Sequence, residues 1–267
     1  MPGTGPRRTV LRRVGIALGL IAVLALVAVI VWANTPRAAE PGALDAAVAD
    51  PAVEVRLEPT VELRPVGRVP RRAVVFYPGA RVAPEAYVAT WAPIVAATDT
   101  LVLIPRMPFN LAVFGRSRAD GLIADHPEID AWWVGGHSLG GSMAANWLGG
   151  QPEGRVEGLI LWASYATRGA GLHERVDIRV LSVSGGRDGL ATPEDITDRI
   201  ETLPDVATFV EIDGMNHAQF GRYGEQRGDL APTIDDREAQ RRLTEAHARF
   251  WDHADAVPAQ DTTEEAA

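Results

Sequence analysis

The 267-residue sequence predicts an α/β fold: a mostly parallel sheet of about eight strands flanked by helices, preceded by one transmembrane helix. Three observations carry that expectation. Short aliphatic and aromatic runs recur along the chain, apolar on both faces, as strands buried between two helical layers must be. Segments of helical periodicity separate them, the alternation expected of parallel strands joined by crossover helices. An uncharged run of 20 residues near the N-terminus fits neither pattern.

That run, VGIALGLIAVLALVAVIVWA (14–33), follows a basic segment, 1–13, carrying Arg7, Arg8, Arg12 and Arg13. At 1.5 Å per residue it spans a hydrocarbon core of about 30 Å. Its 12 Leu, Ile and Val residues favour insertion by roughly 4 to 7 kcal/mol. The Arg cluster is expected to stay cytoplasmic, making 14–33 a signal-anchor and sending the rest of the chain outward. The competing reading is a cleaved signal peptide, although the run exceeds the usual apolar length of about 7 to 15 residues. Both put the remainder outside the cytoplasm, at the cell membrane if the helix is retained and secreted if it is cleaved. Residues 34–52, rich in Ala, Pro and acids, read as a linker. The tail 255–267 is acidic and poor in large apolar residues, hence expected to be disordered.

Between those ends lies one domain, 53–254. VEVRLEP and TVELRPV alternate as an N-terminal hairpin. Strands are then expected at 73–77, 100–105, 131–136, 158–164, 178–184 and 207–213, with helices at 84–98, 139–150 and 193–203. Thr192 precedes the last of these as N-cap, with Pro193 at the first helical position. Thr233 and Asp236 have capping-box spacing before a terminal helix striped with Leu243, Ala246, Phe250 and Trp251.

Composition excludes several chemistries. There is no Cys, hence no thiol nucleophile, thiolate zinc site or disulfide. There is no Lys, hence no Schiff base, P-loop lysine or Ser-Lys dyad. Beyond the N-terminal cluster, 22 Arg face 35 acidic residues, a poor balance for nucleic acid or anionic lipid. No HExxH or other convincing ligand set is present, so neither metal nor organic cofactor is expected.

Ser138 lies in Gly136-His137-Ser138-Leu139-Gly140, after a strand and before a helix. That context suits a nucleophile elbow, with Gly where side chains two residues either side of the serine would collide. The pentapeptide alone is equally consistent with a plain glycine-rich turn. A serine needs a base, and His217 is placed to serve, four residues past the last strand and on the same sheet edge. His137 is expected to point away from Ser138; His126, His173, His247 and His253 read as solvated. For the acid, Asp188 follows the strand at 178–184, with Asp213 as its rival. The order Ser138, Asp188, His217 suits the fold. Oxyanion donors are expected from the backbone of Leu139 and of Ala80, with Arg81 as Ala80's alternative.

The stretches FYPGARV, IPRMPFNLAVFG, HPEIDAWWVGGHSLGGSMAA, SGGRDGLATPEDI and GMNHAQFGRYG resemble the α/β-hydrolase superfamily, and within it the small fold-5, dienelactone-hydrolase-like serine hydrolases. The resemblance covers about residues 72 to 225 and departs from the usual pattern at Pro78-Gly79, where the oxyanion loop often carries His-Gly. It implies Ser138 as nucleophile, His217 as base and Asp188 as orienter. Only 13 residues, YATRGAGLHERVD, follow the strand at 158–164, too few for a large cap. Met107, Phe109 and Phe114 are candidates to line an apolar substrate pocket, or else pack beneath their loop. The expected activity is hydrolysis of a small-molecule carboxylic ester through an acyl-enzyme on Ser138. An acyltransferase or thioesterase using the same triad, or an inactive binding module, are the alternatives. Oligomeric state is not legible.

Overall fold

Every aliphatic run that alternates with a helix becomes a strand of one sheet. A computed structural model describes residues 6–256. The strands are β1 Val53–Arg56, β2 Val61–Pro65, β3 Arg72–Tyr77, β4 Thr100–Ile104, β5 Trp132–His137, β6 Gly158–Trp162, β7 Arg179–Gly185 and β8 Thr208–Ile212. They are ordered β1-β2-β4-β3-β5-β6-β7-β8. β1 and β2 form the expected hairpin and β2 meets β4 antiparallel; every other pairing is parallel.

The helices are α1 Pro6–Ala33, α2 Pro41–Val48, α3 Val88–Thr98, α4 Arg118–Ala124, α5 Leu139–Gly149, α6 Pro193–Thr197 and α7 Asp236–Ala256. Strand side chains alternate between two cores, one on each face. Val74 and Phe76 of β3 join Trp91 of α3 and Leu243, Phe250 and Trp251 of α7. Ala73, Val75 and Tyr77 join Ala144, Ala145 and Leu148 of α5 and Ala119 of α4. Period-two burial on both faces is why these runs carry no polar stripe.

Two caps separate expectation from result. Thr192 caps α6, with Asp195 completing a capping box. At α7 the cap is Asp235, whose Oδ1 accepts from Glu238 N at 2.8 Å, and not Thr233, whose own N–H donates to Gly214 O. The stretch 34–52, expected as a tether, is ordered and packed on the domain. Pro41 opens α2 and Ala47 is buried in the core. Glu40 receives the Arg222 guanidinium at 2.6 Å, while Glu40 N donates to Arg222 O. Alanines and one acid look like spacer until a partner 182 residues away closes the contact. The expected 14–33 helix extends back to Pro6, and its stretch Val10–Ala33 is long and apolar enough to cross a membrane. The tail expected over 255–267 lies outside the described residues from 257 onward, as do residues 1–5 of the basic segment; Asp255 and Ala256 close α7.

His247 also departs from expectation. It is fully buried on α7, and its Nε2 accepts from Trp162 Nε1 at 2.9 Å. Burial pushes its pKa down to about 3, so the ring is neutral when folded and protonates near its ordinary value only when unfolded. The unfolded chain therefore binds the extra proton, and stability falls as pH drops from about 6.5 toward 3. This histidine alone is expected to cost about 2 kcal/mol between roughly pH 7 and pH 5. Urea unfolding at both pH values should show a shallower acid loss for His247→Gln, which keeps an acceptor for Trp162 and cannot titrate.

Candidate active site

β5 enters the sheet centre as Trp132–His137 and turns at once into α5, and that turn is strained. Ser138 has φ 53° and ψ −125°, a backbone region that an L-residue occupies only when its surroundings enforce it. The surroundings do so: Ser138 N donates to Trp162 O at 3.0 Å and Ser164 Oγ donates to Ser138 O at 2.7 Å. A Cβ at Gly136 would lie 2.5 Å from the Gly140 carbonyl carbon, and one at Gly140 would run into the carbonyl oxygens of Tyr77 and Pro78. Both glycines of the motif are thus required by backbone approach.

Gly140 provides a test of that argument. Helix propensity alone favours Gly140→Ala by up to about 1 kcal/mol. The collision with β3 and Pro78 reverses the sign, and Gly140→Ala is expected to destabilise by about 1–3 kcal/mol in urea unfolding.

The loops after β7 and β8 meet at the same edge. Asp188 and His217 are both buried, and His217 Nδ1 lies 2.7 Å from Asp188 Oδ2. Asp188 Oδ1 meanwhile accepts from Leu190 N and Ala191 N, each at 2.8 Å. One carboxylate oxygen is anchored by backbone and the other is left for the histidine. The rival Asp213 is exposed, and its backbone oxygen accepts from Arg242. Asp229 joins the two loops: Oδ1 accepts from Gly189 N and Oδ2 from Ala218 N. With Nδ1 engaged by Asp188, Nε2 of His217 is the nitrogen left for proton transfer.

On the opposite side of the turn, Gly79 N donates to Tyr87 Oη and Arg81 N to Asn110 O. Ala80, exposed between them, has the amide of this loop that neither bond uses. Leu139 opens α5, so its amide has no acceptor within the helix.

A family model described as the alpha/beta hydrolase family matches residues 73–242. The chain belongs to the alpha/beta hydrolase family. Solved structures with the same fold include the esterase domain of a Rhodothermus marinus protein, with 13% identity, 72% of this chain and 90% of that one covered, and a TM-score of 0.55. A hyperthermophilic esterase from the archaeon Pyrobaculum calidifontis shares 16% identity over 94% and 99% of the two chains, with a TM-score of 0.52. An alpha-beta serine hydrolase homologue from Coxiella burnetii shares 16% over 76% and 98%, with a TM-score of 0.51. Among curated proteins none matches the sequence.

In this alpha/beta hydrolase the three pocket candidates part company. Met107 is buried in the core under its loop. Phe109 and Phe114 are exposed and pack edge-to-face with ring centroids 5.6 Å apart. His137, expected to be clear of the site, lies beneath it: its ring centroid is 4.4 Å from that of His217, and its Nδ1 is 2.9 Å from Tyr87 Oη. Burial, then the neighbouring His217, hold its pKa well below the usual value. Tyr87 Oη accepts from Gly79 N–H and pairs with His137 Nδ1, so a hydrogen-bonded relay links Gly79 to His137 through Tyr87. It braces the loop that carries Ala80 against the strand that leads into Ser138. Residue spacing offers no signal for Tyr87 or Asp229. His137 had one, its place beside Ser138, but its partners come from distant elements.

Proposed function

We propose that this alpha/beta hydrolase is a membrane-anchored serine hydrolase that cleaves small carboxylic esters, with its catalytic domain outside the cytoplasm. The observation that supports the chemistry is the buried Asp188–His217 bond of 2.7 Å, formed at the sheet edge where Ser138 occupies strained backbone. Ser138 Oγ attacks the acyl carbon while His217 Nε2 takes its proton. Asp188 holds the imidazole and stabilises the imidazolium. The Leu139 and Ala80 amides receive the developing oxyanion. His217 then protonates the leaving alcohol; water, deprotonated by the same nitrogen, attacks the acyl carbon, and that proton passes to Ser138 Oγ as the acid leaves. The anchor reading is supported by Val10–Ala33, and its orientation by the Arg cluster that precedes it.

Fluorophosphonate labelling of the full chain in detergent, with peptide mapping, tests this reading. An adduct on Ser138 that disappears in His217→Ala is expected, together with turnover of p-nitrophenyl acetate. A folded protein that takes no label at Ser138 would reduce the elbow to architecture.

A further inference from the structure

The C-terminal end of α1 is held at the catalytic loops, not spaced away from them. Asn110 Nδ2 donates to Ala33 O at 2.9 Å. The Arg81 guanidinium lies over the Trp32 ring, 4.2 Å from its centroid, and donates to Thr35 O. Arg37 then pairs with the same loop, its N–H donating to Arg81 O and its carbonyl accepting from Ala83 N. Only residues 34–36 separate the end of α1 from that docked position, and three residues reach at most about 10 Å. Trp is the residue that marks the bilayer interface, and here it touches the neighbour of Ala80. The loop assigned an oxyanion role is therefore the part of the domain that meets the C-terminal end of the apolar helix.

The exposed apolar side chains agree. Phe109, Val113 and Phe114, after β4, are 48%, 51% and 61% exposed. Their loop is bonded to Arg81 through Asn110 O, and its 112–114 turn packs against α5. Leu190 and Leu230, exposed on the loops that position Asp188 and His217, lie at the same sheet edge. The opposite edge carries scattered valines, Val66 and Val69 between β2 and β3, Val176 before β7 and Val206 before β8. Paired aromatics left in water beside a membrane-spanning helix are what an interfacial contact needs. The acidic balance of the domain gives anionic lipid no electrostatic hold, so the contact is apolar.

We infer that the catalytic face of this protein rests on the bilayer that α1 crosses, with the Phe109–Phe114 loop in the lipid interface, and that its substrates are esters carrying an apolar chain partitioned into that leaflet. This deepens the hydrolase and anchor readings and rests on both. The short cap between β6 and β7 leaves the mouth open toward the lipid.

The test uses the full chain in vesicles of phosphatidylcholine and phosphatidylglycerol. Because the protein has no cysteine, Val113→Cys and Val176→Cys each accept one nitroxide label, whose collisions with oxygen and with a water-soluble nickel chelate report depth. The Val113 label is expected in the apolar phase and the Val176 label in water; a Val113 label as open to nickel as Val176 overturns the inference. In parallel, Val113→Asp is expected to lower turnover of p-nitrophenyl palmitate dissolved in the vesicles about tenfold while p-nitrophenyl acetate changes less than about twofold. Equal effects on both esters, or none on either, also overturn it. Fluorophosphonate labelling of the same samples separates the failures. Loss of the Ser138 adduct defeats the hydrolase reading, whereas a labelled Ser138 with Val113 in water defeats only the membrane contact.

Discussion

Ser138→Ala is expected to lower kcat for ester hydrolysis by roughly a million-fold. The alanine keeps the half-buried position, the strained turn and the amides of Leu139 and Ala80, and removes only the atom that forms the acyl-enzyme. Because Ser138 and His217 act as one unit in the proposed chemistry, His217→Ala should cost nearly as much, and the double variant should be no worse than either single one. Steady-state kinetics of the three variants check this. Additive losses would mean the two side chains serve separate functions.

The second large effect is expected at Asp188. Its Oδ1 accepts two backbone amides, from Leu190 and Ala191. Asp188→Asn must therefore keep its carbonyl oxygen there and turn its NH2 toward His217. The amide then donates to Nδ1, forcing the imidazole proton onto Nε2, where a base is needed. Catalysis is expected to drop by about ten-thousand-fold with the fold intact. Asp188→Ala loses the amide acceptor too, so it should also unfold more easily in urea. An Asn variant with near-normal kcat would transfer the orienting role to another residue.

How far the residues themselves foretell this protein differs from element to element. β3 to β8 are recognisable because burial on both faces leaves an unbroken apolar run, a property of the strand alone. Ser138 is recognisable because its turn demands Gly136 and Gly140, and the demand is written within five residues. Asp188 and His217 stand out because each follows a strand end, and parallel topology sends all such ends to one edge. Other features depend on partners that no local pattern encodes. Residues 34–52 read as spacer because α2 acquires its contacts from α3 and β1, and Glu40 from Arg222. His137 reads as clear of the site and His247 as solvated because a histidine is buried and neutral only where another element supplies its bond, here Tyr87 and Trp162. Phe109 and Phe114 could equally have lined a pocket, since an apolar side chain does not declare whether its loop folds inward or outward.

The chain by itself thus determined the fold class, the apolar span at its N-terminus and the residue types available for catalysis, because periodicity, length and turn geometry are local properties of consecutive residues. Only the tertiary structure decided which aspartate meets His217, which amide of the 78–82 loop remains unused and where α1 enters the domain. Each of those turns on the distance between groups far apart along the chain, and only packing sets that distance.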